Sequence, residues 1–283
     1  MNVYERSPEF ADLKPSTQKD YRYTLGNLRA AFGDNHPDDL TIQDLHKYGY
    51  ARGGGGRVHR EIAVLSNVYK AAIRAGAATI NPCVFWEYQP SKVRTRYPSD
   101  DELNAFKTFC RERYSDELTP VYVDLKRLVG LRVNNMLTIT RMMIKPDGLH
   151  PGTSKRGRPH VFVYADAAGN STGLREALDA VLAVPRPVTS IYLFTKRNGQ
   201  PYTVEGFQSN WQRRMNAWVN DKGGERFWEH DIRASAGTAT DEANQEARTD
   251  AQSLLGHTQQ GTTNRYLRGR AAVKVLPAPK PKR

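Results

Sequence analysis

Cysteine is scarce in this sequence. Cys83 and Cys110 are the only two among 283 residues, too few for a disulfide framework, and neither has zinc-site spacing. A reducing cytosol is the expected compartment. No apolar run reaches the roughly 20 residues that a membrane-spanning helix needs. The opening residues, Met1-Asn2-Val3-Tyr4-Glu5-Arg6, lack the basic-then-apolar layout of a secretory leader. No acidic cluster has metal-ligand spacing, which argues against a metal-dependent nuclease and implies no cofactor. No internal repeat is found. Acidic residues are outnumbered, 30 against 42 basic, for a formal charge of +12. That imbalance points to a polyanionic partner, and no membrane partner is expected.

What is present suffices for two domains. The chain is 39% hydrophobic, enough for real cores at this length. Residues 1–14 read as a polar lead-in. A helix is expected from Ser16 or Thr17, good N-caps after Pro15, with Tyr21, Leu25, Leu28 and Phe32 at helical spacing and Gly33 at its end. Thr41-Ile42-Gln43-Asp44 resembles a capping box that opens a short helix through about Tyr50. Gly53–Gly56 lacks the Lys-Ser/Thr of a phosphate-binding loop and is read as a flexible turn. A long helix follows over about 57–75, with Ile62, Leu65, Val68, Tyr69 and Ile73 inward. Its other face carries Arg57, His59, Arg60, Lys70 and Arg74, either a solvated stripe or a phosphate-contacting one. Asn81-Pro82 stops this first region.

Residues 88–98 hold two prolines, three basic residues and no periodicity, as a linker would. Arg94 and Arg96 within it could follow a phosphate backbone. Ser99-Asp100-Asp101-Glu102 is a second capping box. Helices are expected at about 100–113 and 117–130, then a short helix and a small sheet around 148–164. A helix at about 172–183, a strand at 191–194 and a helix at about 203–219 complete the pattern. The end of the chain, 271–283, is rich in Pro and Lys and expected to be disordered. The predicted fold class is therefore mainly α with a small β-sheet. Its predicted divisions are 1–87, 88–98, 99–270 and 271–283.

The last third carries the chemistry. His230-Asp231-Ile232-Arg233, Leu254-Leu255-Gly256-His257 and Thr262-Thr263-Asn264-Arg265-Tyr266 follow one another there. Each alone is weak. A His and an Arg at i, i+3 share a helix face, and Leu-Leu-Gly-His alone reads as a helix C-terminus. In this order the set is specific: Arg233 precedes His257 by 24 residues, and His257 precedes Tyr266 by nine. About a hundred residues upstream, Gly130-Leu131-Arg132 follows an apolar helical pattern of Val121, Leu125, Leu128 and Val129. Lys155 sits in Thr153-Ser154-Lys155-Arg156-Gly157-Arg158, just before the strand-like Val161–Tyr164.

These six positions resemble the active site of the tyrosine recombinases, the phage integrase family. The motifs of the second domain carry the likeness; the first domain matches in size, helix count and position. The resemblance implies a helical N-terminal core-binding domain and a mixed, mainly helical C-terminal catalytic domain. It implies a site-specific DNA recombinase that works without metal or ATP. Tyr266 would attack the scissile phosphate and form a 3′-phosphotyrosine, its phenol being a usable nucleophile once ionised. Arg132 and Arg233 would clamp the phosphate, as two permanently charged forks can. Lys155 would protonate the leaving 5′ oxygen, His230 would move the Tyr266 proton, and His257 would hydrogen-bond the phosphate. The partners implied are double-stranded DNA with specific sites, a homotetramer on two duplexes joined through a Holliday junction, and accessory DNA-bending or directionality factors. The place implied is the cytoplasm, on the nucleoid.

Blander readings stand beside each role. Arg132 could cap the preceding helix. Arg156 or Arg158 could contact phosphate in place of Lys155. His230 could be an exposed residue at a helix start, His257 a satisfied core residue, and Tyr266 structural, with Tyr192 and Tyr202 as competing tyrosines. Two positions depart from the family pattern: Asn135 replaces the common acid three residues after the first Arg, and Ala234-Ser235 replaces His-Thr. Two other functions remain: strand relaxation like that of a type IB topoisomerase, and DNA binding by an inactive relative.

Overall fold

The structure is a computed structural model. It describes residues 1–87, 96–152, 161–166, 169–243, 252, 254, 255 and 262, with the backbone alone at 241–243. The chain divides into two compact units, Met1–Val93 and Arg94–Arg283.

The first unit is helical: α1 (Asn2–Glu5), α2 (Pro8–Ala11), α3 (Pro15–Phe32), α4 (Ile42–Ala51) and α5 (Gly55–Arg74), with 3-10 turns at Pro37–Asp39 and Pro82–Phe85. The start of the chain is not a featureless lead-in. Ser7 caps α2 by accepting from the Phe10 N–H, and Tyr4 and Phe10 are buried edge to face. Two aromatic side chains supply the apolar area that this polar stretch otherwise lacks. Helix α3 begins at Pro15 itself, ahead of the expected Ser16 or Thr17, because a proline at the first helical position forfeits no bond. Leu25 and Leu28 face its core. The Thr41–Asp44 capping box forms in both directions. In α5, Val58, Ile62, Leu65, Val68 and Tyr69 are buried as the spacing predicts, but Ile73 at the last turn is exposed and Glu61 is buried among them.

The second unit is mainly helical around a small sheet. In order it holds α6 (Asp100–Tyr114), α7 (Leu118–Val129), α8 (Val133–Leu137), a 3-10 turn at Arg141–Met143, β1 (Ile144–Lys145), β2 (Gly148–Leu149), β3 (Phe162–Val163), α9 (Leu174–Ala183), α10 (Val204–Lys222) and α11 (Glu229–Ala243). The strands are antiparallel in the order β1-β2-β3, with Ile144 opposite Leu149 and Leu149 opposite Phe162. The strand expected at 191–194 contributes a single bridge, Tyr192 to Thr140. Helix α6 opens on the Ser99–Glu102 capping box. Its Phe106 lies within 6.0 Å of the rings of Trp211, Trp218 and Phe227. Such offset and edge contacts add about 0.5–1.5 kcal/mol each to the area buried. Helix α7 is the central element and packs against α6, α9 and α11. Its buried stripe is Tyr122, Leu125, Lys126 and Val129; Leu128 is exposed. No helix among the described residues is long and apolar enough to cross a membrane.

Candidate active site

The site is built at the end of α7. Gly130 ends that helix in the left-handed conformation, φ +57, which glycine adopts without the clash a Cβ would bring. A Cβ here would also come within 3.3 Å of Leu255 and 3.5 Å of Ala236 on α11. Gly237 receives the same leucine, since a Cβ there would lie 2.9 Å from the Leu255 Cδ1. Two glycines far apart in sequence thus make the dent that Leu255 fills.

Arg233 ties these pieces together. It lies on α11 and is 1% exposed. Its Nη1 donates to the Gly130 carbonyl and its Nη2 to the Leu255 carbonyl. Charge-assisted bonds of this kind are worth roughly 1.5–3 kcal/mol each. The Gly130 turn, helix α11 and Leu255 therefore meet on one guanidinium. Two of its five N–H donors are spent on that joining.

Arg132 is exposed at the N-cap position of α8, and the Met136 N–H bonds to its carbonyl at 2.9 Å. Its side chain makes no hydrogen bond or ion pair with another described residue, so it does not cap α7. Lys126, not Arg132, bonds to the turn that follows α7. Fully buried, it donates to the Leu131 carbonyl at 3.0 Å and to Oε1 of Glu229. Glu229 Oε1 also accepts from the Tyr122 hydroxyl. The α7 residues Tyr122 and Lys126 thus converge on the first residue of α11.

His230 follows Glu229 and is half-buried rather than exposed. Burial pushes its pKa down to about 4, and the Lys126 charge pushes the same way; Glu229 and Asp231 pull against them. At neutral pH the ring is an uncharged imidazole. It can accept a proton or donate through one N–H, but it adds no third fixed positive charge beside the two arginines. Asp231 accepts from the Trp228 N–H at 2.8 Å, fixing the start of α11. Asn135 is half-buried.

Lys155, Arg156, Arg158, His257 and Tyr266 lie outside the described residues, as does Arg94. Of the competing tyrosines, Tyr192 is half-buried. Tyr202 borders a cleft of about 520 Å³ with Arg186, Arg197 and Arg214. Burial pushes its phenol above the usual range, which makes it a poor nucleophile. On α5, Arg57, Arg60, Lys70 and Arg74 are all exposed. Arg57 lies 3.5 Å from Glu61, and Arg74 pairs with Glu9 at 2.6 Å. Arg96 is half-buried and bridges Glu102 and Glu225, the latter at 2.5 Å. Among the described residues no cluster of His, Cys, Asp or Glu could hold a metal ion.

Sequence reasoning missed Tyr122, Lys126 and Glu229. One signal was available. Positions 122, 125, 126 and 129 form the i, i+3, i+4, i+7 stripe of an amphipathic helix, and a lysine in its middle demands a buried partner.

No protein-family model matches the chain, and no curated protein does. Solved structures do. A lambda integrase dimer bound to a COC′ core site superposes with a TM-score of 0.78 and 20% identity, covering 97% of each chain. A lambda integrase tetramer bound to a Holliday junction gives a TM-score of 0.79 and 19% identity over 97% of this chain and 78% of that one. The Tn1549 transposon integrase in complex with circular intermediate DNA gives a TM-score of 0.74 and 14% identity, covering 94% of both. Both integrases are tyrosine recombinases. The chain has the tyrosine-recombinase fold. The helices and the three-stranded sheet are thereby parts of a known architecture, and the likeness covers 97% of this chain.

Proposed function

We propose that the protein is a site-specific DNA recombinase that cuts and rejoins strands through a 3′-phosphotyrosine on Tyr266. The observation that carries this reading is the bonding of Arg233 to the carbonyls of Gly130 and Leu255. It brings the turn that presents Arg132, the helix that carries His230, and the stretch two residues short of His257 to one place. A fold alone does not fix function; these residue types meeting on that fold support one. Arg132 and Arg233 stabilise the charge of the pentacovalent phosphate, as an oxyanion hole stabilises its oxygen. Neutral His230 takes the phenol proton of Tyr266. Lys155 protonates the leaving 5′ oxygen, and His257 hydrogen-bonds the phosphate. The phosphotyrosine conserves the energy of the broken bond, so a second DNA end displaces Tyr266 without ATP. No step calls for a metal.

By analogy with the lambda integrase complexes, the working form is a tetramer on two duplexes. The domains follow the same scheme: 1–87 binds the core site, 88–98 links, 99–270 catalyses and 271–283 is a basic tail. Arg57, Arg60, Lys70, Arg74, Arg94, Arg96, Arg156 and Arg158 are the candidate phosphate contacts, Arg96 after release from its two carboxylates. The excess of positive charge supports a DNA partner.

The decisive experiment mixes the purified protein, with a chelator present, with nicked duplexes from both flanks of its own gene. A protein–DNA adduct that survives denaturant is expected in the wild type and not in Tyr266→Phe. An adduct that persists in Tyr266→Phe would reject the named nucleophile. Binding without any adduct would favour an inactive relative, and relaxation of supercoils without a defined site would favour the topoisomerase reading.

A further inference from the structure

Lys126 and Glu229 form an ion pair with almost no access to water: their side chains are 0% and 7% exposed. Stability does not account for such a pair. Burying each ion costs several kcal/mol, and a well-packed apolar pair of similar volume commonly does as well or better. What an apolar pair cannot do is direct a hydrogen bond. Lys126 directs one at the Leu131 carbonyl, 3.0 Å away, which belongs to the peptide bond leading into Arg132. Glu229 anchors the other end as the first residue of α11, one position before His230 and four before Arg233. Its Oε1 takes the Tyr122 hydroxyl as well as the Lys126 ammonium. The chain of bonds therefore runs from the turn through Lys126 and Glu229 to the start of α11. Arg233 returns from α11 to the Gly130 carbonyl one residue before Leu131. Both carbonyls of the turn are thus held from α11, one directly by Arg233 and one through Lys126.

We propose that Lys126, Glu229 and Tyr122 are positioning residues for the active site: they fix the peptide before Arg132 and the start of α11 in one register, so that Arg132, His230 and Arg233 face the same phosphate. This rests on the recombinase reading given above. The three residues touch no substrate; they act through the turn and the helix that they join.

The test uses the full-length protein and the double variant Lys126→Met/Glu229→Leu, which removes both charges and fills the space. Three readings are taken: the rate of adduct formation at saturating nicked DNA, the Kd for that DNA, and amide hydrogen exchange at Gly130 and Met136. In the wild type these two amides bond to Lys126 O and Arg132 O. The double variant is expected to bind DNA with a Kd within about twofold of wild type and to form the adduct at least tenfold more slowly. Exchange at the two amides should rise at least tenfold while that of α6 stays unchanged. Glu229→Gln keeps an oxygen that accepts from Lys126 and Tyr122, and it should keep the rate within about threefold. A double variant with wild-type rate and wild-type exchange would overturn the proposal, and so would a loss confined to Kd. Should the wild type form no Tyr266-dependent adduct, the recombinase reading fails. Exchange at the turn then decides the positioning claim by itself: unchanged protection in the double variant rejects it.

Discussion

Each unit buries a glutamate and hands it a tyrosine hydroxyl. In the first, Glu61 of α5 accepts from Tyr48 at 2.8 Å. In the second, Glu229 of α11 accepts from Tyr122. The counter-ions differ. Glu61 is met by Arg52 at 2.6 Å and Arg57 at 3.5 Å, whose side chains are 29% and 61% exposed. Glu229 is met by Lys126, which is wholly enclosed. The first acid thus has a cation within reach of water and a second in reserve. The second has one cation among the described residues, itself wholly enclosed. The titrations reflect this. Burial works against Glu61, but the bonds from Arg52 and Tyr48 outweigh it and hold the carboxyl below its usual range. Lys126 is pulled down by burial in spite of Glu229. A half-open network tolerates loss; a closed one transmits it.

Removing one partner should expose that contrast most sharply at Lys126. Lys126→Met leaves Glu229 buried and charged without compensation, a loss of about 3–5 kcal/mol. Urea unfolding of the full chain, followed by tryptophan fluorescence, would measure it, because three of the four tryptophans (Trp211, Trp218 and Trp228) lie in the second unit. A midpoint for Lys126→Met equal to wild type would mean that water reaches Glu229 after all.

The next effect is a pH dependence in the second unit. His230 has a folded pKa near 4, depressed from 6.5 by burial and then by Lys126. Between those values the unfolded chain binds a proton that the folded one refuses. Stability therefore rises with pH across about 4 to 6.5 and is lost as pH falls through that window, by on the order of 2–3 kcal/mol. The sign is opposite to that of a histidine whose pKa is raised by a carboxylate. Urea midpoints from pH 4 to 7 should slope in the wild type and flatten in His230→Gln. The same slope in both would place the titrating group elsewhere.

Arg52→Met should cost less than Lys126→Met, since Arg57, 3.5 Å from Glu61, still faces that carboxylate. The reading is the unfolding of the first unit, followed by hydrogen exchange along α5. Equal losses for the Arg52 and Lys126 variants would end the distinction between the two networks.

Much of this architecture was legible in sequence because it rests on local rules. The capping boxes at Thr41 and Ser99, the extent of α5 and the order of elements from Ser99 onward follow from caps and periodicity. The exceptions share a cause. Residues 1–14 became ordered because Tyr4 and Phe10 found a core that local composition cannot reveal. Ile73 and Leu128 were read as inward from their spacing, but each falls in the last turn of its helix and its side chain is exposed. Lys126 and Glu229 escaped for a stronger reason: 103 residues separate them, and no spacing rule couples such a pair. The turn at Gly130 and the helix with His230 and Arg233 were visible as motifs. That Arg233 would spend two donors on backbone carbonyls was not, since a motif names residue types and leaves their hydrogen bonds unspecified.

The smallest stability effect belongs to Arg74, and there the two kinds of charge separate most cleanly. Arg74 and Glu9 are both more than half exposed, so their pair adds little to stability, and Arg74→Gln should barely move the unfolding midpoint. If Arg74 contacts a phosphate, the same variant releases one counterion fewer on binding duplex DNA, and the slope of log K against log salt should fall by about one. Arg52 is committed to the buried Glu61, so Arg52→Met should leave that slope untouched while lowering stability. Arg74→Gln with an unchanged slope would remove Arg74 from the DNA contacts, and a reduced slope for Arg52→Met would show that its carboxylate pairing gives way to DNA. Stability would thus report the enclosed charges and salt dependence the open ones, measured on the same unit of the same protein.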